Sequence, residues 1–196
     1  MAETIDPGPP VVALVGSAGG IGPMGAVLAQ FPPDFPAAVL VLLHLAAAHR
    51  SHLAAILARR TTLPVKEAEH GDVLKGGAVY VAAPDAHMIV AAGGTLRLEH
   101  TPLVHHVRPS ADSLLLSLAE DYGGRCVAVV FSGTGSDGAA GAAAVKRAGG
   151  TVFVQDEASS DHFGMPSAAI LAGEVDGVLA TEELGRAVID VVASPA

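Results

Sequence analysis

The sequence predicts an α/β fold: a doubly wound, mostly parallel β-sheet with helices on both faces and one β-hairpin insertion. Three observations carry this expectation. Hydrophobic residues make up 51% of the 196 positions but aromatics only 4%, so the core is built from Val, Leu, Ile and Ala. Three apolar runs, Val11–Val15, Ala38–Leu43 and Val127–Phe131, do not alternate with polar residues. Such runs mark strands covered on both faces, as in parallel sheets. Helical patterns lie between them, giving the β/α alternation of a layered domain.

The elements follow in order. The first strand runs into a glycine-rich turn and a helix through about Gln30, with Pro23 in its first turn, where a missing N–H costs nothing. The second strand is followed by a helix from about Ser51 to Arg60. Val79–Ala82 is a shorter strand. "MIVAAGGTLRLEH" carries two β-like segments around Gly93-Gly94, a two-residue hairpin signal. After Arg108-Pro109, Ser110 caps a helix that ends before Gly123-Gly124. The Ala- and Gly-rich piece 138–150 reads as a helix closed by a glycine pair. Val152–Val154 and Gly177–Leu179 are short strands, and a last helix starts near Thr181, with Glu182 and Glu183 suiting its positive end.

Composition excludes several function classes. The net charge of −9 argues against a nucleic-acid partner, since phosphate binding needs clustered Lys and Arg. The single cysteine, Cys126, forms no internal disulfide and reads as buried and inert; a cytoplasmic location is expected. "MAETIDPGPP" has no apolar signal core, and the longest apolar run, 37–48, is broken by His44 and too short to span a bilayer. Residues 1–10 are expected to be a disordered tail and 11–194 a single domain.

"VALVGSAGGIGPMG" poses the functional question, because a glycine turn between strand and helix can cradle a phosphate or present a nucleophile. Gly16, Gly20 and Gly22 fit a dehydrogenase-like spacing, but the second strand ends in His44 rather than the acid that would hold a ribose. Neither Tyr80 nor Tyr122 is followed three residues on by a lysine, and no Gly-Lys-Ser/Thr follows the turn. The nucleophile reading fits better. Ser17, His44 and Asp137 each lie just past an apolar strand, and doubly wound sheets place their sites at those strand ends. A histidine activates a serine hydroxyl, and a buried carboxylate fixes the imidazole tautomer. The α/β-hydrolase elbow does not match, because Val15 stands two residues before Ser17 and the order is Ser, His, Asp. No His-Glu-x-x-His and no cysteine cluster is present, so no metal or other cofactor is expected. His49 and His52 share a helix face, and the histidines other than His44 read as surface residues.

Several stretches in sequence, "LVGSAGG", "VLLHL", "GAVYVAAPDAHM", "HHVRPSADSLL", "VFSGTGSDGAAG" and "QDEASSDHFGMPSAA", resemble the catalytic domain of the chemotaxis protein-glutamate methylesterases, the CheB family. They cover most of residues 11–180. The resemblance implies a Ser17–His44–Asp137 triad that hydrolyses γ-glutamyl methyl esters on chemoreceptor cytoplasmic helices, with deamidation of receptor glutamines as a second activity. It implies the Ala18 backbone N–H as oxyanion donor, with the loop holding Gly133 and Thr134 contributing. Family members usually carry an N-terminal receiver domain; about ten residues precede the first strand, and phosphorylation control in cis is expected to be absent. Ala18 replaces the usual Thr, Thr134 the usual Met, and "LAAAHR" the Pro-rich turn after His44. Arg108 is expected to brace the site or a loop, and Phe163 to Pro166 to pack a helix start. The alternatives are the same fold acting on another protein ester or as a non-catalytic docking module, and, less favoured, a nucleotide-binding oxidoreductase.

Overall fold

Strands β1 (Val11–Gly16), β2 (Ala38–Leu43) and β7 (Cys126–Val130) are buried at every position. Burying both faces of a strand requires a layer on each side, and the computed structural model, which describes residues 8–44, 51–173 and 175–194, has that arrangement. The remaining elements are α1 (Ile21–Leu28), α2 (Leu53–Leu57), β3 (Val65–Glu67), β4 (Val79–Val81), β5 (His87–Ala91), β6 (Thr95–Glu99), α3 (Ala111–Tyr122), α4 (Ala139–Arg147), β8 (Thr151–Gln155), α5 (Gly164–Ala172), β9 (Gly177–Leu179) and α6 (Thr181–Ala193), with a 3₁₀ turn Gly123–Arg125 ahead of β7.

Seven strands form one sheet in the order β3-β4-β2-β1-β7-β8-β9, and every pairing in it is parallel. Alternate residues of β1 serve the two faces. Val12 and Leu14 pack with Met24 of α1, Leu57 of α2 and Leu184 and Val188 of α6. Val11, Ala13 and Val15 pack with Leu114 and Leu118 of α3, Ala142 and Val145 of α4 and Met165 of α5. β1 lies in the middle, with β2 on one side and β7 on the other, so the loops after these three strands meet at one edge.

Local chemistry explains most boundaries. Pro23 occupies the first turn of α1. Ser110 caps α3, its Oγ accepting the Ser113 N–H at 3.3 Å. At α6 the Glu183 carboxylate accepts the Ala180 N–H at 3.2 Å. Three details differ from the sequence expectation. The hairpin β5–β6 pairs Ala91 with Thr95, so its loop is the three residues Ala92, Gly93 and Gly94, both glycines at positive φ. The hairpin forms a separate two-stranded sheet tied to α3 through the Val90 N–H and Ser117 Oγ, 3.0 Å. β3 carries no sequence signal, because its "VKE" is a short, largely exposed edge segment with no apolar run. α2 is shorter than the span 51–60, and His49 and "LAAAHR" lie outside the described residues. Among the described residues, no helix is long and apolar enough to cross a membrane.

Candidate active site

Ser17 and His44 are the residues that follow two neighbouring strands. β1 and β2 pair in register with Gly16 opposite Leu43, and the His44 N–H extends the ladder to the Gly16 carbonyl at 3.1 Å. Neighbouring parallel strands lie about 4.8 Å apart, so the two residues sit at adjacent strand ends. Both line an open cleft of about 500 Å³, together with Ala18, Gly19, Ile21, Gly22, Pro23, Leu43 and Asp161.

Asp137 reaches the pair from the loop after β7. Its Oδ2 accepts a hydrogen bond from His44 Nε2 at 2.7 Å. With Nε2 carrying the proton, Nδ1 is the basic nitrogen of His44. The carboxylate precedes α4 but does not cap it. Gly138 is the cap, at φ +95°, and Asp137 turns to the start of α3. There Oδ1 accepts from Ser110 Oγ (2.7 Å) and the Asp112 N–H (3.1 Å), and Oδ2 accepts also from the Ala111 N–H (2.6 Å). Burial pushes the Asp137 carboxyl up most strongly. The bonds from His44, Ser110, Asp112 and Ala111 together outweigh it and hold the carboxyl below its ordinary value. An ionised Asp137, 4% exposed, is thus stabilised by the dipole of a helix other than the one it adjoins.

A second Ser–His–Asp proximity supports this carboxylate. Ser110 donates its backbone N–H to His87 Nδ1 at 3.1 Å, while His87 Nε2 donates to the Pro102 carbonyl at 3.1 Å. Both residues are buried, and the Ser110 hydroxyl is committed to Asp137, so this serine holds the acid rather than attacking a substrate. His87 is therefore not a surface residue as the sequence suggested; its ring fixes the start of α3. His105 Nε2 lies 3.1 Å from Asp112 Oδ2, and the Asp112 Oδ1 accepts the Gly141 N–H at 2.7 Å. His105, Asp112 and Asp137 offer ligand atoms within 4.8 Å of one another, but N–H and O–H donors already occupy these carboxylates.

The glycine turn after β1 is pinned from below. The Ser17 N–H donates to the Ser132 carbonyl at 2.9 Å, and the Gly20 N–H to the Ser17 carbonyl at 3.0 Å. Among the described residues, the backbone N–H groups of Ala18, Gly19 and Thr134 donate no hydrogen bond. Gly133 differs: its N–H is spent on the His162 carbonyl at 2.9 Å, which removes it as an oxyanion donor. Its contribution is space, since a Cβ there would lie 2.9 Å from Ser17 Cβ and collide with Met165 Sδ. Thr134 is exposed on the same loop. Arg108 braces a loop, donating to Asp85 and to the Thr101 carbonyl (2.7 Å). Met165 is core and Phe163 precedes α5, so "FGMP" packs a helix start.

Comparisons with known proteins identify the family and the fold. The CheB methylesterase family model matches residues 12–188. A protein-glutamate methylesterase/protein-glutamine glutaminase of Anaeromyxobacter dehalogenans is 44% identical over 177 residues, 90% of this chain and 52% of that protein. The protein-glutamate methylesterase FrzG of Myxococcus xanthus is 38% identical over 92% of this chain and 54% of its own length. The chain thus spans about half the length of these relatives. The crystal structure of the Thermotoga maritima CheB methylesterase catalytic domain superposes with a TM-score of 0.88 at 34% identity, covering 94% of this chain and 98% of that one. With the family model spanning nearly the whole sheet and its three strand-end loops, this chain belongs to the CheB methylesterase family.

Proposed function

We propose that residues 11–194 form a catalytic unit that hydrolyses γ-glutamyl methyl esters on the cytoplasmic helices of methyl-accepting chemoreceptors, releasing methanol, and deamidates glutamines at such sites. The observation that carries this reading is the 2.7 Å bond between His44 and Asp137 beside a cleft lined by Ser17. The glutamyl ester and glutamine chemistry is that of relatives that are protein-glutamate methylesterases and protein-glutamine glutaminases, and the chemoreceptor helices are what the family resemblance implies. A cytoplasmic location follows from that substrate.

Ser17 Oγ attacks the ester carbonyl and its proton passes to His44 Nδ1. The imidazolium keeps its Nε2–H on Asp137, whose ionised carboxylate stabilises the new charge. The carbonyl oxygen becomes an oxyanion held by the Ala18 N–H in the turn that leads into α1. Collapse of the adduct returns the proton from His44 to the departing methoxide, or to the amine of a glutamine. Water then attacks the acyl-enzyme by the same route in reverse and frees glutamate. No cofactor enters this scheme. The glycine turn therefore uses the physics of a phosphate cradle, aimed at a transient anion.

The test is methanol release from a methylated chemoreceptor cytoplasmic fragment by the wild type and Ser17→Ala. Release by the wild type, lowered about 10⁴–10⁶-fold in the variant, is the expected result. Hydrolysis of p-nitrophenyl acetate without methanol release would reject the substrate and keep the triad. Inactivity on both would favour a docking module.

A further inference from the structure

Ser132, the residue that follows β7 by two positions, is fully buried and has every polar group committed. Its N–H donates to Gln155 Oε1 at 2.8 Å, and its carbonyl accepts the Ser17 N–H at 2.9 Å. Its Oγ donates to the Ala18 carbonyl at 2.8 Å and accepts the His162 N–H at 3.0 Å. Gln155, itself buried, is held in turn through Nε2 by the Ser159 carbonyl (2.7 Å) and Thr181 Oγ1 (3.0 Å). One serine therefore fixes the nucleophile's backbone at two peptide units, Gly16–Ser17 and Ala18–Gly19.

The consequence lies on the far side of the second unit. A trans peptide sets its C=O and N–H in opposite directions. Holding the Ala18 carbonyl down on Ser132 Oγ turns the Gly19 N–H the other way, away from the core. Gly19 lines the cleft beside Ser17, and its N–H has no hydrogen-bond partner among the described residues. The residue at this point must be glycine, because φ is +81° and a Cβ would lie 2.6 Å from Ser132 Oγ. The preceding unit is fixed in the same manner, the Gly20 N–H holding the Ser17 carbonyl and so setting the direction of the Ala18 N–H.

We propose that Ser132 is a positioning residue for the oxyanion hole: its hydroxyl clamps the Ala18–Gly19 peptide so that the Gly19 N–H joins the Ala18 N–H as a second donor. This rests on Ser17 as the nucleophile. The role is one a purely structural serine would not have. Such a residue would affect stability and leave transition-state binding untouched, whereas a clamp acts on the charge that develops only in the tetrahedral adduct.

The experiment measures p-nitrophenyl acetate hydrolysis and the affinity of a trifluoromethyl ketone, whose adduct with a serine carries an oxyanion, in wild type, Ser132→Ala, Ser132→Cys and Ser17→Ala. The cysteine variant keeps the shape and weakens the donor, and serves if the alanine variant does not fold. The expected result is a kcat lower by about 10–100-fold, a KM within twofold, and ketone affinity lowered in step. A kcat within threefold of wild type in a folded Ser132 variant would overturn the clamp. So would a fall in kcat with unchanged ketone affinity. Full activity of Ser17→Ala would instead reject the nucleophile, whatever the Ser132 variants do.

Discussion

Replacing Asp137 by Asn tests how the carboxylate sets the tautomer of His44. The four donors are split evenly, with Ser110 Oγ and the Asp112 N–H on Oδ1, and His44 Nε2 and the Ala111 N–H on Oδ2. An asparagine can accept at only one of these positions. With its NH₂ at the Oδ1 position, both the Asp112 N–H and the Ser110 hydroxyl lose their acceptor. With its NH₂ at the Oδ2 position only the Ala111 N–H is orphaned, because His44 can move its proton to Nδ1 and accept at Nε2. The second orientation is preferred, and it removes the basic nitrogen from the serine side. One buried orphan donor costs about 1–3 kcal/mol, and the charged bonds lost from the start of α3 bring the total to about 2–4 kcal/mol. The expected kcat is lower by about 10⁴-fold, the size seen for the same change in other triads. The sign with pH is also set. A carboxyl held below its unfolded value stabilises the fold above that unfolded value, near 3.8, and the contribution is lost as pH falls through the folded value. Urea unfolding from pH 7 to pH 3 should therefore show a stability gap between wild type and Asp137→Asn that is full above about pH 4 and closes below it. A kcat within tenfold of wild type, or a gap that persists unchanged at acid pH, would refute the reasoning.

Three other outcomes are expected. Ser110→Ala removes both the α3 cap and a donor to Asp137, lowering stability by about 1–3 kcal/mol and moving acid unfolding to higher pH, readable by urea titration at several pH values. Gly133→Ala forces Met165 and Ser17 apart, destabilising by about 1–3 kcal/mol and lowering ester turnover; a variant as stable and active as wild type would show that the loop yields freely. Burial pushes the Cys126 thiol up to about 12, so iodoacetamide at pH 8 should label it only after unfolding, as followed by mass spectrometry.

The apolar runs alone determined the layered fold and which strands are central, because a strand with no polar face must be covered twice. They also placed Ser17, His44 and Asp137 at strand ends, since the chemistry of such a sheet gathers at one edge. Local turn chemistry was legible too: Ser110 reads as a cap from "RPSAD" and is one. β3 escaped, being an edge strand stabilised by pairing with β4 rather than by its own composition. What only the tertiary structure decided is how the candidate site is held. Asp137 adjoins α4, yet three of its donors sit 25 to 27 residues earlier, at the start of α3, and the fourth is His44, 93 residues away. His87 carries no sequence signal for burial and is fixed by Ser110, 23 residues away. Ser132 reads as one more small residue in a glycine loop, and its bond to Ala18 spans 114 positions. Periodicity reports which face of an element is buried; it carries no information about which distant donor meets which acceptor, because that pairing exists only once the helices and strands have packed.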